Sequence, residues 1–238
     1  THTTGERHAE ALRVRIRRRP LNLLRLIPAK GVTMSSATTS RTTFDVRYRT
    51  IDLVTITTLG VAFGVVFWGW DKAYASVSTL AIFSYPPSAG LLGGPWLIAG
   101  VVGGLVVRRP GAALATELVA ASVEALVPGG SQWGFSTLTS GFWEGLGAEL
   151  VLAVLLYRRF GVVAAAAAGI AAGVLESIYE WHSYYSSWQL PYRLAHLGMF
   201  ALSGLVVAGL GGFALTRSLA RTGALDAFGP GREAAEEI

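Results

Sequence analysis

Cysteine is absent from the 238 residues, which excludes a disulfide framework, thiol chemistry and a Cys-ligated metal, and leaves the redox compartment unreadable. Charge is also scarce. Only 15% of residues are charged, against about 25% in an ordinary soluble domain, and the mean hydropathy is +0.46. The chain has no G-x-x-x-x-G-K-[ST] phosphate loop, nucleophile elbow or zinc-binding helix motif, so the usual signatures of ATP handling and of hydrolytic catalysis are missing. No extended apolar/polar alternation suggests a β-barrel, and no internal repeat is visible. What remains is an all-α, polytopic membrane protein.

Six apolar stretches approach the ~20 residues that cross a hydrocarbon core. They run from Ile51 to Trp70, Ala89 to Val107, Ala112 to Val127, Leu138 to Tyr157, Gly161 to Tyr179 and Leu194 to Thr216. The joints between them are short and rich in Pro and Gly, as in "SYPPSAG", "RRPGA" and "VPGGSQWG", which is the composition of turns. In lipid each span must be helical, because only a helix satisfies its own backbone. Arg41, Arg47 and Arg49 precede the first span, Arg108 and Arg109 join the second to the third, Arg158 and Arg159 join the fourth to the fifth, and Arg217 and Arg221 follow the sixth. The other three joints hold only Lys72 and Arg193. The positive-inside bias then puts both termini in the cytoplasm and the aromatic joints "YEWHSYYSSWQLPYR" and "GGSQWG" outside.

The net charge of +5 raises the question of nucleic acid. Position decides against it: eight of the 20 Lys and Arg lie before Ser35, with no folded reader beside them. Residues 1–43 read as a disordered basic extension, with Met34 a natural start; 44–217 form the six-helix membrane domain, and 218–238 a cytoplasmic tail. An anionic-lipid-binding arm is the other use of such an extension.

Carboxylates inside the spans carry the functional signal, because a charge at the bilayer centre costs from ~3 kcal/mol upward. Glu117 and Glu124 lie on the third span, Glu144 and Glu149 on the fourth, and Glu176 and Glu180 at the outer end of the fifth. No Lys or Arg falls within a span to neutralise them. Spacings of seven and four put Glu117 with Glu124, and Glu176 with Glu180, on shared helical faces. Trp68, Trp133, Trp143, Trp181 and His182 fall at the same outer level. Carboxylates among aromatic rings suit an organic, aromatic cation, held by Coulomb attraction, hydrogen bonds and ring contact. The expected substrate site is therefore Glu117, Glu124, Glu144, Glu149, Trp68, Trp133, Trp143, Trp181 and His182.

Other readings of the same residues stay open. Trp70, Trp96 and Trp188 suit an interfacial belt, His182 and His196 suit interfacial hydrogen bonding better than metal ligation, and Glu176 and Glu180 suit a solvated helix exit. The four inner glutamates could be protonated structural partners between helices. Asp52 complements its helix dipole. Gly60 and Gly64, four apart, form a small-residue face that another helix can approach. No metal or organic cofactor is expected.

The runs "YRTIDLVTITTLGVAFGVVFWGWDKAY", "AGVVGGLVVRRPGAALATELVAASVEAL" and "WEGLGAELVLAVLLYRRF" resemble the YkoE family, the substrate-binding S components of energy-coupling-factor (ECF) vitamin transporters. The likeness covers about Tyr48 to Arg217 and is most specific in "RRPGAALATELVAASVEAL". It implies a six-helix bundle of ECF S-component type in a prokaryotic plasma membrane. Such a protein captures thiamin or its hydroxymethylpyrimidine precursor outside the cell, and partners with a transmembrane T component and ATPases that hydrolyse ATP. It also implies that Gly60 and Gly64 face the T component, since a small-residue face on the first helix has that role in such proteins. Thiamin pairs a cationic thiazolium with an aminopyrimidine, in keeping with the carboxylates and rings. Two other classes use the same residues: a solitary cation- or proton-coupled carrier with a glutamate relay, and an intramembrane enzyme with paired carboxylates for acid/base chemistry.

Overall fold

The computed structural model describes residues 47–236, so the expected extension over 1–43, with Met34 and Arg41, lies outside the described residues. All regular structure among the described residues is helical. Helix α1 (Thr50–Val77) starts where Asp52 folds back on the chain before it: the carboxylate accepts the Arg49 backbone N–H at 2.8 Å and its guanidinium at 2.7 Å, with Arg109 at 3.7 Å. The helix runs seven residues past the expected end at Trp70, carrying Asp71 and Lys72 with it. There Lys72 donates to the Gly130 carbonyl at 2.8 Å, tying α1 to the loop after the third helix.

Helix α2 (Pro86–Val107) changes character along its length. Pro86, Pro87 and Pro95 lack N–H donors, and the chain makes 3₁₀ turns over Pro86–Leu92 and Gly94–Leu97 before turning α-helical at Ile98. Arg108 ends it in the left-handed region (φ 56°), and Gly111 (φ 87°) completes the reversal. Helix α3 (Ala112–Leu126) stops where Val127 becomes extended, as the residue before Pro128 must. Helices α4 (Ser136–Val154), α5 (Val162–Ser183) and α6 (Leu190–Arg221) follow, α6 with a π-helical stretch over Gly204–Gly211. A short α7 (Gly229–Glu236) closes the described chain.

Of the six expected spans, α1, α2, α5 and α6 are long and apolar enough to cross a membrane. Helix α3 has 15 residues, about 22 Å, and α4 has 19 with two glutamates. Both turn their glutamates toward protein, while α4 exposes Phe142, Leu150 and Val154 on its other side. Helix α2 forms the centre: 78% of its apolar window is buried, against 33% for α1 and α6. The last helix passes the expected domain boundary at 217. Beyond it, Leu225 and Phe228 are buried against the bundle, and Arg49 lies 5.7 Å over the Phe228 ring.

Small residues set the closest approaches. Gly169 of α5 and Gly204 of α6 pack backbone to backbone, where a side chain on either would meet the other's carbonyl. Gly60 and Gly64 do the same for α1 on α3: a Cβ at Gly60 would strike Val119, and one at Gly64 would strike Val123 and the Ala120 carbonyl. Both glycines are buried, which corrects the expectation that they face a T component. The outward side of α1 carries Leu53, Val54, Val61, Val65 and Val66 instead. Gly60→Leu and Gly64→Leu should each destabilise the detergent-solubilised protein by about 1–3 kcal/mol through overpacking, seen as a lower thermal midpoint. A midpoint equal to wild type would show that the α1–α3 seat does not depend on these glycines.

Candidate functional site

A cavity of about 210 Å³ opens where α1, α3 and α5 end and α2, α4 and α6 begin, so all six helices contribute to its wall. Its aromatic side is a cluster of three rings from three elements. Tyr74 of α1 lies 5.6 Å from Trp96 of α2 and 5.4 Å from Trp133 of the α3–α4 loop, and the two tryptophans meet edge to face at 5.2 Å. Such tilted pairs match the ring quadrupoles.

The acidic side comes from α3, α4 and α5. Glu124 is fully buried; one oxygen accepts the Trp96 indole N–H at 3.3 Å, the Ser131 side chain stands beside the carboxyl, and the other oxygen makes no hydrogen bond of good geometry. Glu176, 1% exposed, accepts the Ser140 hydroxyl on one oxygen and again leaves the other unpaired. Glu144 reaches the same cavity from α4. Glu180, one turn beyond Glu176, stands 3.1 Å from His196 Nε2 without the alignment of a hydrogen bond. His196 is fully buried, its Nδ1 lies 2.9 Å from the Ser177 hydroxyl, and Tyr185, Trp188 and Phe200 meet its ring edge to face. This histidine thus hydrogen-bonds from a fully buried position.

The loop between α5 and α6 supplies the rim. Tyr184 hydroxyl lies 2.8 Å from Ser136 Oγ of α4, and Tyr185 stacks on Trp188 at 3.9 Å. Burial pushes the Tyr184 phenol up to about 12, so it stays protonated at physiological pH.

Of the nine expected site residues, the structure brings Glu124, Glu144 and Trp133 to the cavity wall. Glu117 lies below it. This fully buried carboxylate accepts the Gly100 backbone N–H at 2.6 Å, one of the orphan donors in the first turn of the α-helical part of α2. Glu149 faces the opposite end of the bundle. It accepts the backbone N–H groups of Gly111, Ala113 and Leu114 at 2.6, 3.0 and 3.3 Å, together with the Tyr157 hydroxyl. It therefore caps the positive end of the α3 dipole. Trp68, Trp143 and Trp181 are partly buried off the cavity, and His182 is exposed. Phe67, next to Trp68, takes the place on the wall. Sequence reasoning left Tyr74, Trp96, Glu176, Glu180 and Tyr185 outside the expected site. The four-residue spacing of Glu176 and Glu180 was the available signal, together with a tryptophan set among the prolines of α2.

Comparison with known proteins gives three results, which share membrane transport and differ in the substrate their names carry. Residues 51–175 match the family model for the permease component of an ABC-type cobalt transport system. YkoE of Bacillus subtilis (strain 168), whose name describes an HMP/thiamine permease protein, is 31% identical over 186 residues, covering 76% of this chain and 89% of YkoE. The crystal structure of an S-component of an ECF transporter superposes with a TM-score of 0.74 at 29% identity, covering 80% of this chain and 95% of that one.

The chain belongs to the YkoE family. It is a multi-pass membrane protein with the fold of an ECF S component, and its function is that of a substrate-binding S subunit. Within this fold Glu149 has the contacts of a structural cap. Glu149→Gln replaces charge-assisted contacts with neutral ones and puts an amide among N–H donors, and should destabilise the protein by about 1–3 kcal/mol. Thermal unfolding in detergent checks this, and ligand affinity of the folded fraction should stay at the wild-type value. A large affinity loss at unchanged stability would return Glu149 to the binding site.

Proposed function

We propose that this S subunit captures thiamin or its hydroxymethylpyrimidine precursor in the aromatic and acidic cavity, and passes it to a T component driven by ECF ATPases. The carrying observation is the pair Glu124 and Glu176. Each is nine-tenths or more buried, each has one oxygen satisfied by the protein, and each leaves the other unpaired at the cavity. A buried acceptor without a donor costs about 1–3 kcal/mol, so a ligand bearing N–H groups or positive charge completes the site. An aminopyrimidine presents such an edge, and the Tyr74, Trp96 and Trp133 rings offer faces and edges to its plane. Glu144 and Glu180 add further carboxyl oxygens around a cation, with His196 and Ser177 positioning Glu180. The relative's name, HMP/thiamine permease, supports the same ligand class.

In this reading all six long helices cross the membrane, α3 and α4 with their glutamates turned toward protein, and the arginine-rich joints lie in the cytoplasm with both termini. The chain itself is not catalytic, and ATP hydrolysis belongs to the ATPases. Cysteines placed at the exposed positions Thr79 and Ser187 of this cysteine-free chain should react with an impermeant reagent in intact cells, and one at Arg159 should react only after permeabilisation. The reverse pattern would invert the orientation.

Calorimetry with purified protein tests the ligand. Glu124→Gln and Glu176→Gln should each lose a charge-assisted hydrogen bond, about 1.5–3 kcal/mol or ten- to a hundredfold in affinity for the preferred ligand. Wild-type affinity in both variants would refute the carboxylate site. Absence of binding of either molecule by the wild type would refute the vitamin assignment.

A further inference from the structure

The aromatic and acidic cavity carries more carboxyl groups than a monocation can balance. Glu124, Glu144, Glu176 and Glu180 share a space of about 210 Å³. The other titratable groups on its wall are the phenols of Tyr74 on α1 and of Tyr184 and Tyr185 after α5, and α2 adds none. Behind the wall stand Glu117 of α3, Asp71 and Lys72 of α1, and His196 of α6. Lys72 is 3.0 Å from Asp71 and donates to the Gly130 carbonyl, so its charge is already matched within its own helix.

The four carboxyls differ in what the protein supplies to them. Glu124 has the Trp96 indole with the Ser131 side chain beside it, Glu176 has the Ser140 hydroxyl, and Glu180 has the His196 imidazole at 3.1 Å. Glu144, only 6% exposed, receives no hydrogen bond from any described residue. Its electrostatic neighbours are Glu176, Glu117, Glu124 and Glu180, with no Lys or Arg among them. Burial without a donor opposes ionisation of such a group, and the surrounding carboxyls oppose it again. An arriving cation removes both obstacles, because it neutralises the carboxylate and gives it a partner.

We propose that Glu144 is the proton-exchanging group of this site: a neutral acid in the free protein, it releases its proton to solvent when a cationic ligand enters, and the carboxylate left behind pairs with the ligand's positive charge. One O–H bond breaks, one monocation enters and one proton leaves, so the net charge of the cavity is unchanged. Capture then discriminates by charge as well as by shape, since a neutral ligand draws no proton from the site. The inference rests on the cationic ligand proposed above.

Calorimetry of the full chain with thiamin tests it. At about pH 7, in phosphate and in Tris, the two heats of binding should differ by the amount that corresponds to about one proton released per thiamin. Because binding releases a proton, affinity should rise with pH, by up to about tenfold per unit over the range in which the free site still holds that proton. Glu144→Gln has no proton to give, so its heats should agree in the two buffers, its affinity should stay flat with pH, and binding should weaken by about tenfold. If that variant does not fold, Glu144→Met replaces it, and the wild-type comparison of buffers tests the exchange by itself. Wild type that binds thiamin with equal heats in both buffers would overturn the exchange alone. Undiminished proton release in the variants would overturn the assignment to Glu144. Failure of wild type to bind thiamin would refute the vitamin reading, and this inference with it.

Discussion

Buried carboxylates without a buried Lys or Arg among the described residues are the constraint around which this bundle is arranged. An ionised or half-satisfied carboxyl in a medium of low dielectric requires a donor, and the helices supply few. The protein meets this requirement in two ways. Glu117 and Glu149 are placed against helix N-termini, where backbone N–H groups of Gly100 and of Gly111, Ala113 and Leu114 have no helical partner. Glu124 and Glu176 receive one side-chain donor each, from Trp96 and Ser140, and turn the remaining oxygen toward a cavity. Glu117 also keeps one oxygen unpaired, but away from the cavity, whereas the free oxygens of Glu124 and Glu176 belong to residues on its wall.

That division depends on the irregularity of α2. Were its prolines and glycines replaced by a regular helix, the Gly100 N–H would be consumed by a carbonyl one turn earlier, and Glu117 would lose its partner. The 3₁₀ start also brings Trp96 against Tyr74 and Trp133, so one segment shapes both the deep cap and the aromatic wall. Close backbone approach at Gly60, Gly64, Gly169 and Gly204 brings α1 to α3 and α5 to α6. In lipid such small-residue contacts take the part that apolar burial plays in water.

The two ends of the molecule are chemically opposed. One is acidic and aromatic and suits a cationic, nitrogen-bearing ring; the other is arginine-rich, with Arg108 held between Phe160 and Glu233. The arginine-rich joints after α2 and α6 thus meet at one end of the bundle, where they line a second pocket.

The sequence by itself determined the class of the protein and the family, because apolar length, arginine placement and the "RRPGAALATELVAASVEAL" run are local properties that need no packing information. It also singled out the intramembrane glutamates, since the cost of a carboxylate in lipid does not depend on its neighbours. Tertiary structure decided what each glutamate does. Glu117 and Glu124 share a helical face, yet one meets the free N–H of Gly100 and the other an open cavity. Trp68 and Phe67 are adjacent, and only the rotation of α1 on Val119 and Val123 puts Phe67 on the wall. Glu176 and Glu180 read as a solvated helix exit until α4 and α6 close over them with Ser140 and His196. Gly60 and Gly64 carried the same ambiguity: a small-residue stripe marks a close helix contact, but whether the neighbour is α3 or another protein depends on how the chain wraps. Spacing fixes which residues share a face, and only the packed bundle fixes what that face meets.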